Sequence, residues 1–144
     1  MNILFDTSVL VAAAVKSHEH HGAAIAAVER LSSGTDEGSV GTHSLAEVYA
    51  VLTRLPISPR IQPGEAAKIV EENIEKLLKP VGLTPSEYLS VIRNAAELGV
   101  SGGAIYDLLL LACAEKAGAE RIYTFNVQEF RKLAPQLAAR IMAP

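Results

Sequence analysis

Asn2-Ile3-Leu4-Phe5-Asp6-Thr7-Ser8-Val9-Leu10 is the stretch on which the architecture turns. Its opening residues form a short apolar run without alternation, the pattern of a strand covered on both faces. Asp6, Thr7 and Ser8 then supply three side chains able to cap a helix N-terminus, and a helix is expected over about Val9 to Val15. A buried strand that turns directly into a helix is the first half of a βαβ unit. It requires a parallel neighbour strand and helices on the faces of the sheet.

The same alternation continues downstream. The polar break His18-Glu19-His20-His21 leads into an Ala-rich helix ending near Leu31, and Ser39 to Gly41 reads as a second short strand. Thr42-His43-Ser44 starts a helix to Leu55, followed by a stiff connection, Pro56 to Pro63. Gly64 to Lys79 is amphipathic, and Pro80 to Leu83 is either a strand or an extended link. Thr84, with Pro85 behind it, caps a helix that stops near Gly99. The run from Ala104 to Ala114 is apolar on most sides, Arg121 to Phe125 is rich in strand formers, and a last strand is expected around Arg140 to Met142. Strands of three to five residues alternating with longer helices predict one three-layer α/β domain, residues 1–144, with a mainly parallel sheet.

Composition narrows the functional classes. Half of the 144 residues are apolar, with few aromatics and no Trp, which suits helices packed closely on a small sheet. A net charge of −3 means that the surface as a whole does not advertise nucleic-acid binding. A polyanionic substrate would have to be held by bound cations and a local basic patch, for which Arg54, Arg60, Lys68, Arg121, Arg131 and Lys132 are candidates. The lone cysteine, Cys113, lies inside the apolar helix and reads as a small buried side chain. Asp6 interrupts the N-terminal apolar stretch, no basic region precedes it, and no run reaches the length of a membrane span. The expectation is a cytoplasmic protein with no membrane contact.

Chemistry concentrates at the ends of elements. Asp107 heads the apolar helix, Asp6 closes the first strand, Glu47 lies near the start of another helix, and Asn126 with Glu129 follows the fourth strand. Each has an ordinary alternative. Asp6 fits a helix cap, Ser44-Leu45-Ala46-Glu47 fits a capping box, and Asp107 fits a helix-dipole partner or a salt bridge to an arginine. Asn126 fits a turn and Glu129 a solvated surface position. Together they point further. Parallel sheets bind ligands beyond the carboxyl ends of their strands, and several oxygen side chains gathered there repel one another until a divalent cation relieves them. Mg²⁺ or Mn²⁺ suits such ligands, and phosphodiester hydrolysis is the natural chemistry. Thr7 or Ser8 would donate to a water on Asp6 or to a phosphate oxygen. No dedicated general base stands out. His18, His20 and His21 lack the spacing of a zinc hydrolase and read as a polar turn, and His43 as a neighbour of a cap.

These residues resemble a known family. Asn2 to Leu10, Glu47 within Ser44-Leu45-Ala46-Glu47-Val48, Gly103-Ala104-Ile105-Tyr106-Asp107, and Tyr123-Thr124-Phe125-Asn126 with Phe130 are similar in order and spacing to PIN-domain nucleases. The likeness is greatest to the VapC-type toxins of toxin–antitoxin pairs. It implies a three-layer α/β/α fold around a five-stranded parallel sheet in the order 3-2-1-4-5. It implies cleavage of RNA with Mg²⁺ or Mn²⁺, a homodimer, and inhibition by a cognate VapB-like antitoxin whose tail covers the acidic groove. Asp6, Glu47 and Asp107 match the family's three acidic positions, and Thr124 matches a frequent hydroxyl. Asn126 occupies the place nearest to a frequent fourth acidic residue, with Glu129 close by; Asn brings an oxygen but no charge. The competing expectations are a housekeeping RNA-processing nuclease and a catalytically weak protein-binding module.

Overall fold

Ile3, Leu4 and Phe5 are all buried in the first strand, β1 (Asn2–Phe5), as their unbroken apolar character requires. The computed structural model describes the whole chain, Met1–Pro144. β1 is the centre of a five-stranded sheet completed by β2 (Glu37–Gly41), β3 (Lys79–Val81), β4 (Arg121–Tyr123) and β5 (Ile141–Met142). The order is β3-β2-β1-β4-β5 and every pairing is parallel. Both expectations, the parallel sheet and its order, hold.

Alternate residues of β1 feed the two sides of the sheet. Ile3 and Phe5 enter one apolar cluster with α1 (Thr7–Ala14), α2 (His21–Ser32) and α3 (Thr42–Arg54). A short helix, α4 (Pro63–Lys68), continues as π-helical turns over Ile69–Glu75 and closes that layer. Leu4 enters the opposite cluster, with α5 (Pro85–Leu98), α6 (Ala104–Lys116) and α7 (Val127–Leu133). In α6 Leu108, Leu109, Leu110 and Leu111 are buried in succession, so the helix is covered on nearly every side. Cys113 is buried there too, its thiol donating to the Val81 carbonyl, and burial pushes its pKa up to about 11. No helix is long and apolar enough to cross a membrane.

Register brings the ends of three strands level. Phe5 pairs with Val40 on one side and Tyr123 on the other. The residues that follow therefore emerge at one edge: Asp6, the start of α3, and Thr124 to Asn126. β4 stops two residues earlier than the composition of Arg121 to Phe125 predicts, because Thr124 and Phe125 turn toward Asp6. The predicted cap at Thr84 is present, with its hydroxyl accepting from Glu87 N (3.2 Å) and Glu87 Oε1 accepting from Thr84 N (3.1 Å). The single helix expected from Gly64 to Lys79 is instead α-helical only to Lys68 before widening. No Pro or Gly between Ile69 and Glu75 marks that change.

Candidate active site

Asp6 sits at the junction of β1 and α1. Its carbonyl, not its carboxylate, starts the helix, accepting from Val9 N (3.0 Å) and Leu10 N (3.2 Å). The side chain makes no capping bond. Oδ2 accepts instead from Ser8 Oγ (2.6 Å) and from Thr124 Oγ1 (2.8 Å). Each hydroxyl is itself held from β4's far end: Ser8 Oγ accepts from Phe125 N (3.1 Å), and Thr124 Oγ1 from Asn126 N (3.0 Å). The two bridges fix the rotamer of Asp6 and the path of residues 124–126 together. Burial raises the pKa of Asp6, and the two hydroxyls offset part of that shift, with a smaller contribution from the nearby amides of Ser8 and Thr7.

Asp107 comes from the first turn of α6, where the helix dipole favours an anion. It is half-buried and has no ion-pair partner, so the arginine salt bridge open to it on sequence grounds is not formed. Its pKa is raised to about 6, first by burial, then by the charges of Asp6 and Glu47, with Glu129 adding a smaller push and His43 opposing them.

Glu47 reaches the same place by a route the sequence pattern disguised. The capping box from Ser44 to Glu47 does not form, because α3 begins three residues earlier than that box requires, with Gly41 in the cap position. Glu47 thus lies in the second turn, free of the helix end. Ser44 Oγ is left buried without a partner. His43 stands beside Glu47, Nε2 to Oε1 3.1 Å, yet its N–H is not aimed at that oxygen and Nε2 has no hydrogen bond. The imidazole fits because residue 41 is glycine: a Cβ there would meet His43 Cε1 at 3.3 Å and Cys113 Sγ at 3.6 Å.

Asp6, Glu47, Asp107 and Asn126 line one open groove of about 560 Å³, together with Thr7 and Ser8. Val11, Val51 and Leu55 form an apolar wall, and His18, Glu19, His20 and Phe125 form a rim. No Lys or Arg lines it. Thr7 Oγ1 is buried there without a partner, whereas Ser8 is engaged on both sides. Glu129, exposed in the first turn of α7, is not part of the lining, although Asp107 senses its charge. Thr124 is fully buried and supports Asp6 from behind. The carboxylates face one space without closing into a tight cage: no three His, Cys, Asp or Glu side chains form a ready-made metal cluster.

One phosphate-holding candidate is placed elsewhere, while the histidines keep the polar-turn reading. Arg131, a candidate for holding phosphate, donates instead from Nε (3.2 Å) and from its terminal nitrogen (2.7 Å) to the Ile141 carbonyl, bracing β5. His21 is structural, with Nδ1 2.9 Å from the Ala12 carbonyl. His18 and His20, read as part of a polar turn, stand at the rim, and His20 stacks on Phe125. His18 and His20 come from the turn between α1 and α2 and Phe125 from just beyond β4, so no local sequence signal joins them.

Residues 3–135 match the PIN domain family model. Over 115 residues the chain is 34% identical to Ribonuclease VapC27 of Mycobacterium tuberculosis, covering 80% of this chain and 78% of the relative. It is 37% identical over 123 residues to Ribonuclease VapC40 of the same organism, covering 80% of each. In three dimensions it resembles the crystal structure of Mycobacterium tuberculosis VapC20, titled a sarcin–ricin loop cleaving toxin, with a TM-score of 0.68. That match covers 88% of this chain and 92% of the other at 18% identity, so it is a likeness of fold.

Proposed function

The chain belongs to the PIN-domain family, on its VapC ribonuclease branch, and from that premise we propose a divalent-metal-dependent endoribonuclease acting as the toxin of a VapB-like antitoxin pair. The observation that carries the metal-dependent part is electrostatic. Asp107 is held near pKa 6 by burial and by Asp6 and Glu47, in a groove lined by no Lys or Arg. Such a groove lacks a resident counter-charge, and its donors are carboxylate, amide and hydroxyl oxygens. That set fits Mg²⁺ or Mn²⁺, and the open spacing of the carboxylates fits an ion that keeps several waters.

Asp6, Glu47 and Asp107 would hold the ion, with Asn126 lining the same groove and Glu129 adding charge from outside it. The chemistry such an ion would supply is a bound water of lowered pKa and neutralisation of charge on the phosphate. The chain's own residues prepare that event. Ser8 and Thr124 lock Asp6 in one rotamer, and Thr7 Oγ1, which has no partner, would be free to donate to a phosphate oxygen. The relatives' name, ribonuclease, supports RNA as the substrate, and the acidic groove suits occlusion by a basic antitoxin tail. The exposed apolar residues Tyr88, Leu89 and Ile92 of α5 support the expected homodimer.

The test is cleavage of a single-stranded RNA with Mn²⁺, with Mg²⁺ and with EDTA, by the parent and by Asp107→Asn. Cleavage restored by metal and lost in the variant is expected. Equal cleavage by both would remove Asp107 from the site. No cleavage, together with a melting temperature indifferent to Mn²⁺, would favour a protein-binding module.

A further inference from the structure

At the rim of the groove stands a file of rings that the proposed phosphodiester chemistry leaves unused. His20 and Phe125 are stacked, with centroids 4.3 Å apart and planes inclined by 18°, and His18 continues the file at 5.8 Å and 42° from His20. All three line the same groove as Asp6, Glu47 and Asp107. The His20 side chain is 46% exposed, so the file reaches solvent at the mouth of the groove.

The file is also held in place. His20 N donates to His18 Nδ1 (3.1 Å), which sets the orientation of the His18 ring. Phe125 N donates to Ser8 Oγ (3.1 Å), the same hydroxyl that donates to Asp6. One serine therefore fixes the aromatic rim relative to the carboxylate in the groove floor. A single-stranded chain of nucleotides presents phosphates and flat bases in alternation, and proteins hold such chains by stacking unpaired bases on aromatic faces. With no Lys or Arg lining the groove, this rim is the feature best suited to grip RNA independently of phosphate charge.

Resting on the ribonuclease reading above, we propose that His18, His20 and Phe125 form a subsite that stacks one unpaired base beside the scissile phosphate. The subsite selects single-stranded or looped RNA. It tolerates different bases, because stacking uses the π-face that every base shares.

The experiment has two independent readouts. In steady-state cleavage of a single-stranded RNA oligonucleotide with Mn²⁺, His20→Ala raises KM roughly tenfold and changes kcat less than about threefold, while His20→Trp stays near the parent KM. The chain has no Trp, so His20→Trp combined with Asp107→Asn carries a single indole at the rim. Its emission is quenched by the intact oligonucleotide and far less by the same strand made abasic near the cut. An unchanged KM in His20→Ala, or equal quenching by intact and abasic strands, overturns the subsite. If the parent cleaves no RNA, the ribonuclease reading fails by itself, and the quenching comparison still decides whether the rim binds bases.

Discussion

Asp107 shows what the acidic groove does to a single side chain. Folding raises its pKa from the ordinary 3.8 to about 6, so the folded chain binds this proton more tightly than the unfolded chain does. Its contribution to stability is complete below pH 3.8 and is lost as pH rises through about 6. At neutral pH the ionised carboxylate therefore destabilises the metal-free protein, by about 1–2 kcal/mol once solvent screening of a half-exposed group is allowed for. Asp107→Asn should raise the melting temperature measured in EDTA at pH 7.5, and the gain should shrink as the pH is lowered toward 4. An equal or lower melting temperature at pH 7.5 would mean that the repulsion is not felt. Asn126→Asp makes the complementary case, since it adds charge to the groove lining: metal-free stability should fall while the Mn²⁺ concentration for half-maximal cleavage falls several-fold. Half-activation at an unchanged concentration would point to Glu129 as the fourth contributor. Asp6, Glu47 and Asp107 were legible in the sequence because carboxylates beside apolar strands and helices need a partner. His43 and the His20–Phe125 stack were not, since ring contacts depend on tertiary neighbours that spacing does not encode.

Among the elements, the parallel sheet was legible for a simple reason: its strands are short apolar runs followed at once by helix-starting residues. Helix starts were less so. Ser44 and Glu47 have capping-box spacing, but Gly41 ends β2 at the sheet edge and lets α3 begin at Thr42, which carries Glu47 into the groove instead. The widening over Ile69–Glu75 had no local signal at all. β1 and β4 are coupled beyond their ladder by the hydroxyl bridges to Asp6, and Thr124 is central to that coupling. Thr124→Val keeps the shape but removes the donor to Asp6 and the acceptor for Asn126 N. The expected cost is about 1–3 kcal/mol, the penalty for leaving buried polar groups unpaired. A melting curve in EDTA should show the loss, and metal-activated cleavage should fall with it, because Asp6 is no longer held. Retained activity at parental stability would show that Ser8 alone suffices.

For the whole molecule, the surface divides its chemistry between separate regions. The groove at the carboxyl edge of the sheet concentrates negative charge, while α5 exposes Tyr88, Leu89 and Ile92, at 37%, 53% and 50%. Positions 88, 89 and 92 fall on one side of a helix, so they form a patch and not scattered exposures. Apolar side chains grouped on one exposed helix face are the kind of surface that protein contacts use. The partner we propose for this patch is a second copy of the chain, as the resemblance to VapC-type toxins implies. Light scattering should then return about twice the 15.3 kDa chain mass. The pair Leu89→Glu and Ile92→Glu should return the monomer mass with an unchanged circular dichroism spectrum, because both side chains face solvent in the isolated chain and support no core. A parent that is monomeric at tens of micromolar, or a double variant that still doubles, would release α5 from this role and leave the patch to the antitoxin instead.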